Sequence, residues 1–266
     1  MKRFIKYLQN PLVKIFISPF SIFAFGTIVG SVLSGRLNWW SMILLYVIAI
    51  SSQLLEHFNF QKYSVNNRKA TPTFLLVIGE GMLALSVVAF MLKHSLAINL
   101  LLLLYVFYIH ILYRPYDFSL SIYHFLLDLF YKGVVLNCVA YYSQAYTITP
   151  KFLMALLPIL LLSLAIAIQE NIIKRRMIKA PISKLLRNSQ KMSLLLAFIS
   201  IALAFYLSLP TQVFFVFQVL FVLIAVLLIL PFGVKTNYER QMQNKLNYFS
   251  VVSLLYSVVY AISYLY

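Results

Sequence analysis

Acidic side chains are scarce in this chain, six in 266 residues, and two of them stand in its two most polar interruptions. The first reads Gln53-Leu54-Leu55-Glu56-His57-Phe58-Asn59, and the second Gln169-Glu170-Asn171-Ile172-Ile173-Lys174-Arg175-Arg176. Each lies at the inner end of a long apolar segment, four segments apart. In the first, Gln53, Glu56, Asn59 and Tyr63 recur every three to four residues. On a continuing helix that spacing makes one polar stripe able to face a cavity, with Arg68 and Lys69 downstream where a polyanion can reach them. The plainer reading is that Glu56 and His57 mark the membrane boundary. In the second, Glu170 and Lys174 stand at i,i+4 and can pair, and Lys174, Arg175, Arg176 and Lys179 make a basic helix end. Guanidinium forks and ammonium groups grip phosphate well. Basic residues also collect at a helix C-terminus and on the cytoplasmic side of a membrane with no ligand at all.

A third group sits inside an apolar run. His124, Asp128 and Lys132 follow at i, i+4 and i+8, on one face of one helix. Ionisable groups at such depth are costly unless they pair or face a cavity, and so are functional candidates. Asp128 and Lys132 can neutralise one another, which gives a structural ion pair as the competing explanation. Glu80, between Gly79 and Gly81, is a further acid within a span, where small neighbours let another backbone or a ligand come close. Tyr141-Tyr142-Ser143-Gln144 is expected as an interfacial belt, and the single Cys138 as a small core residue, with no disulfide framework and no thiolate metal cluster.

The elements that must carry these groups are transmembrane helices. The chain is 62% hydrophobic and 11% charged, with mean hydropathy +0.89, more apolar surface than a soluble globule can hide. Apolar runs of bilayer-crossing length fall near 16–35, 39–55, 73–92, 96–113, 121–144, 152–170, 192–209, 213–230 and 246–265. The expected fold is an all-α polytopic membrane bundle of about nine helices. It is a single membrane domain over 1–266, with its largest cytoplasmic loops at about 56–72 and 171–191. Those two loops share a membrane face, which suggests a parallel repeat of four helices with the ninth appended.

Charge orients the bundle. With the N-terminus inside and the C-terminus outside, all 22 Lys and Arg are cytoplasmic except Arg36, Lys93 and Lys151 outside and Lys132 within a span. Basic loops facing anionic headgroups explain a net charge of +16. With no basic soluble domain, nucleic acid is not an expected partner. The basic Met1-Lys2-Arg3-Phe4 leads into a run of spanning length without a small-residue cleavage site, and so reads as a retained first helix. Without an organelle-targeting presequence, the expected location is a prokaryotic plasma membrane.

Nine spans with polar helix ends before the loops after spans two and six resemble the UbiA superfamily of intramembrane prenyltransferases. Gly133-Val-Val-Leu-Asn-Cys-Val-Ala-Tyr141-Tyr142-Ser-Gln144, then an apolar span ending in Gln169-Glu170-Asn171, is similar to the fifth-to-sixth-helix stretch of its menaquinone (naphthoate) branch. Tyr113-Arg114-Pro115 is similar to that family's loop before span five. Family members carry two Asp-rich motifs, NxxxDxxxD and DxxxD, that hold Mg²⁺ on the diphosphate of a prenyl donor. Laid over this chain, the first puts Leu55 at the Asn and Asn59 and Tyr63 at the two Asp, with Glu56 the only acid nearby. At the second, Glu170 is the only acid and Lys174 takes the place of an Asp. The two Asp of the chain, Asp117 and Asp128, lie in neither motif.

The resemblance implies roles for these residues. Glu56 and Glu170 become the catalytic acids and the only candidate Mg²⁺ ligands, with Arg68, Lys69, Lys174, Arg175 and Arg176 as the diphosphate grip. Gln53, Asn59, Tyr63, Asn171, His124, Asp128 and Lys132 become the polar cavity. The implied activity moves an isoprenyl group from a prenyl diphosphate to an aromatic or other lipophilic acceptor. A non-catalytic prenyl-lipid or quinone binder, or a partner subunit that kept the fold and lost the metal site, is the alternative. A transporter built on His124, Asp128 and Lys132 is the third.

Overall fold

Apolar runs without Pro or Gly clusters fold as helices in lipid, because the chain itself must satisfy every backbone N–H and C=O. The computed structural model describes residues 11–63, 73–113, 121–177, 189–209, 215–234 and 238–266, and these are helical with no strand. In chain order the helices are α1 Pro11–Ser34, α2 Trp39–Tyr63, α3 Thr73–Met91, α4 Leu96–Ile111 and α5 Ile122–Asp128. A π-helical segment, Leu129–Val135, then joins α5 to α6 Leu136–Ala145. The remainder are α7 Pro150–Met177, α8 Ser189–Ser208, α9 Phe215–Ile229, a 3₁₀ turn Leu230–Gly233, and α10 Glu239–Leu265.

Eight of these stretches are long and apolar enough to cross a membrane, counting α5 through α6 as one. The ninth expected span, α4, is apolar but has 16 residues, about 24 Å of helix against a hydrocarbon core of about 30 Å. The outer surface is what lipid favours: Phe74, Val77, Leu85 and Val216 are more than two-thirds exposed.

Two helices outrun their hydrophobic segments. α2 continues to Tyr63, so residues 56–63, expected in a loop, are helical. α7 likewise reaches Met177. The polar interruptions are therefore carried on rigid helix ends.

The chain divides into two compact units, Gly26–Ile148, and Met1–Phe25 with Thr149–Tyr266. The division does not fall between the fourth and fifth spans, where a four-plus-four repeat would put it. In the Gly26–Ile148 unit the end of α1 meets α6 almost backbone to backbone. Gly26 N–H donates to Asn137 Oδ1 at 3.0 Å. A Cβ at Gly30 would lie 2.8 Å from the Tyr141 carbonyl oxygen. Tyr141, Ser143 and Gln144 are consequently buried. The expectation of an interfacial belt is overturned there: Gln144 Oε1 accepts from Asn38 N–H at 2.7 Å, a packed contact between α6 and the turn before α2. Cys138 is buried and free, as expected of a core residue.

In the other unit, serines stitch α7 to α8. Ser193 Oγ donates to the Ala165 carbonyl (2.8 Å), and Ser200 Oγ donates to that of Pro158 (2.7 Å). Having spent its one proton, Ser200 accepts from Tyr256 Oη of α10 at 2.6 Å. Aromatic rings fill the space between, with Phe25 stacked on Tyr260 at 5.2 Å and Phe221 edge-on to Tyr256 at 5.4 Å.

Candidate functional site: a charged cluster among helices

In the Gly26–Ile148 unit two carboxylates converge on one ammonium group, and a tyrosine and a histidine extend the cluster. Lys132 Nζ lies 2.7 Å from Glu56 Oε2 of α2 and 2.5 Å from Asp128 Oδ1, one turn back on α5. The side chains are 18%, 15% and 29% exposed. Two carboxylates and one ammonium leave the trio formally at one negative charge. Tyr108 of α4 donates its phenolic proton to Asp128 Oδ1 at 3.2 Å. That proton being spent, His124 Nδ1, 3.2 Å from Tyr108 Oη, faces that hydroxyl as the N–H donor. One turn before Glu56, Ser52 shares a 2.6 Å hydrogen bond with Tyr105, and this pair continues the polar seam between α2 and α4.

The local backbone explains how Lys132 reaches both acids. On a regular α-helix His124, Asp128 and Lys132 would form a straight stripe. Instead the π-helical segment from Leu129 to Val135 widens the turn at Lys132, a feature frequent at functional sites. Tyr131 in the same segment stacks on Tyr108 with centroids 4.7 Å apart, fixing the phenol that serves Asp128.

Of the expected polar-cavity residues, the fold brings His124, Asp128 and Lys132 together with Glu56. Gln53 and Asn59 share α2 with Glu56, half-buried and buried. Tyr63 ends that helix under the ammonium of Lys62, 5.3 Å from its ring. Arg68 and Lys69 lie outside the described residues, as do Arg114, Pro115, Asp117 and Lys179. Glu80 faces His110 Nε2 at 2.9 Å, both half-exposed. Beside it Gly79 admits Leu55 of α2, 3.1 Å from where a Cβ would stand. Gly79 thus has a packing role, whereas Gly81 has nothing within 4 Å of where a Cβ would stand.

The second interruption belongs to the other unit and is a run of i,i+4 pairs along α7. Lys174 Nζ is 3.5 Å from Glu170 Oε2, and Arg175 Nε donates to Asn171 Oδ1 at 2.8 Å. Gln169 is buried, its Nε2 donating to the Phe232 carbonyl at 3.1 Å. Arg176 is exposed.

Mg²⁺, which the family resemblance implies, demands near-octahedral oxygens and is held through carboxylates and phosphate. Glu56 and Asp128 already enclose an ammonium, and Glu170 faces Lys174. No three His, Cys, Asp or Glu side chains gather as a ligand set among the described residues. These residues do not fit the ion.

Tyr105, Tyr108 and Ser52 are the members that sequence reasoning missed. The signal for the two tyrosines was a pair of polar-tipped rings three residues apart in the apolar run 96–111. Compared with family models, curated proteins and solved structures, the chain matches none.

Proposed function

We propose that this multi-pass membrane protein is a UbiA-like isoprenoid-lipid or quinone binder that works without a divalent metal and does not catalyse prenyl transfer. The observation that carries the reading is Lys132, a tethered cation lodged between Glu56 and Asp128 where metal chemistry would need unneutralised carboxylates. Glu170, the other acid implied in catalysis, faces its own lysine. The basic end of α7, Lys174 to Arg176, keeps the chemistry to hold a phosphate headgroup. Basic loops support a plasma-membrane orientation with the N-terminus cytoplasmic, and with α4 counted as a crossing the C-terminus lies outside.

The test is binding of a non-hydrolysable prenyl thiodiphosphate to the purified protein, with Mg²⁺ and with excess chelator. Equal affinity in the two conditions is the expected result. Binding that needs Mg²⁺, accompanied by prenyl transfer in an acceptor screen, would replace this reading with that of a divergent prenyltransferase.

A second reading, a transporter, is favoured by one observation, the continuous polar chain His124, Tyr108, Asp128, Lys132 and Glu56 on either side of a π-helical turn. Intramembrane carboxylates in such chains mark ion and proton paths. Proton flux into proteoliposomes that persists unchanged in Asp128→Asn would remove it.

A further inference from the structure

Among the described residues, Lys245 of α10 is the most deeply buried cation outside the Glu56 cluster, 9% exposed. Its ammonium donates to the carbonyls of Phe232 (3.0 Å) and Val234 (2.8 Å) at the 3₁₀ turn that ends α9. Those carbonyls are the negative end of a helix dipole and suit a cation, but a dipole end carries about half a charge and Lys245 a whole one. Gln190 of α8 reaches the same turn, its Nε2 3.2 Å from the Gly233 carbonyl. Lys245, Gln190, Gln169 and Arg176 together line one cleft. Two cations thus share it.

What is missing is an acid. Only two carboxylates belong to this unit, Glu170 and Glu239. Glu170 faces Lys174. Glu239 is exposed, six residues before Lys245 at the start of α10. Residues 178–188 and 235–237, which follow α7 and the 3₁₀ turn in sequence, contain no Asp or Glu. A buried ammonium without an acid is costly, and one of its three donors has no acceptor among the described residues.

We infer that this cleft is an anion site that takes a phosphate group, held by Lys245 and Arg176 with Gln190 at its wall. The space between the walls is about 10 Å³, room for roughly one water. The phosphate therefore sits at the mouth, where exposed Arg176 closes over it with a planar fork suited to two oxygens. Phospholipid headgroups and soluble phosphates share this chemistry. The site deepens the phosphate-holding role proposed for the basic end of α7, sharing Arg176 with it and adding Lys245, and needs no isoprenyl chain.

The test measures thermal stabilisation of the full chain in phosphatidylcholine nanodiscs. One arm adds phosphatidic acid to the discs and the other adds sodium diphosphate to the buffer. Stabilisation by phosphatidic acid alone identifies a lipid headgroup site; stabilisation by diphosphate as well identifies a site open to soluble phosphate. In either case Arg176→Gln, an exposed change that leaves packing intact, should at least halve the shift. Lys245→Gln should reduce it further, and Arg240→Gln, an exposed cation on α10 outside the cleft, should preserve it. No shift with either anion, or equal losses in Arg176→Gln and Arg240→Gln, overturns the inference. Because neither probe carries an isoprenyl chain, failure here leaves the prenyl thiodiphosphate experiment standing.

Discussion

Lys132 and Glu56 lie 76 positions apart and meet at 2.7 Å, joining the π-helical segment to α2 within one unit. Asp128 holds the same ammonium from the other side. In this arrangement Lys132 is the member that both acids depend on, and each acid is backed by the other. Removing the cation leaves two like charges side by side in a low-dielectric setting. Removing one acid leaves a neutral pair.

That asymmetry predicts unequal costs. Lys132→Met should destabilise the protein by about 3 to 5 kcal/mol, the range for breaking a buried pair and stranding its charge. Glu56→Gln should cost about 1.5 to 3 kcal/mol, the loss of one charge-assisted hydrogen bond. Denaturant titration of both variants in nanodiscs measures the difference. Equal losses would show that the two carboxylates do not share one cation.

Glu170 provides the contrast. Its contact with Lys174 is 3.5 Å, and the lysine side chain is 51% exposed, so the pair belongs with helix i,i+4 ion pairs. Those contribute about 0.3 to 0.5 kcal/mol. Glu170→Gln should therefore change stability by less than about 0.5 kcal/mol under the same titration. A loss as large as that of Glu56→Gln would mean that Glu170 carries a structural load that these contacts do not reveal.

Most of the helical framework was legible in the sequence, because hydropathy over a span depends on local composition alone. The Asp128–Lys132 and Glu170–Lys174 pairs were legible for a related reason: i,i+4 spacing places two side chains together on any helix. Nothing local joins Glu56 to Lys132. Their meeting depends on how α2 packs beside the π-helical turn, and the turn itself has no sequence signature in Leu129–Val135. Tyr141 and Gln144 misled for the opposite reason. Polar-tipped residues at a span end favour the interface by composition, but two glycines on α1 draw α6 inward and bury them.

His94 supplies a pH dependence. It lies between α3 and α4, with Nε2 3.0 Å from Ser41 Oγ and its ring stacked on Phe90 at 4.1 Å. Partial burial lowers its pKa below the usual 6.5, and the neighbouring Lys93 charge lowers it further. The unfolded chain therefore takes up a proton at a higher pH than the folded one. Stability from this group is intact above about 6.5 and falls as the pH drops through 6.5 toward the lower folded value. Thermal midpoints from pH 8 to pH 5 should decline less steeply in His94→Gln than in the wild type. Parallel declines would assign the acid sensitivity to other groups.

Gly26 and Gly30 form a small-xxx-small pair on α1, the spacing that lets membrane helices approach closely. A Cβ at Gly26 would press on the carbonyl oxygen of Asn137, and one at Gly30 would meet both the Tyr141 carbonyl oxygen and, at 2.9 Å, Gln144 Cβ. The obstacles at Gly26 are backbone atoms of a buried helix, which cannot turn aside as a flexible side chain would. Gly26→Ala should accordingly cost about 1 to 3 kcal/mol, the usual penalty of overpacking, and disturb the Gly26 to Asn137 hydrogen bond. Gly81 is the internal control, since a Cβ there meets nothing within 4 Å. Gly81→Ala should be neutral or stabilising by up to about 1 kcal/mol, because alanine favours the helix more than glycine does. Thermal unfolding of the two variants side by side tests the packing of α1 on α6. If Gly26→Ala is as stable as Gly81→Ala, the helices are not in backbone contact at that point.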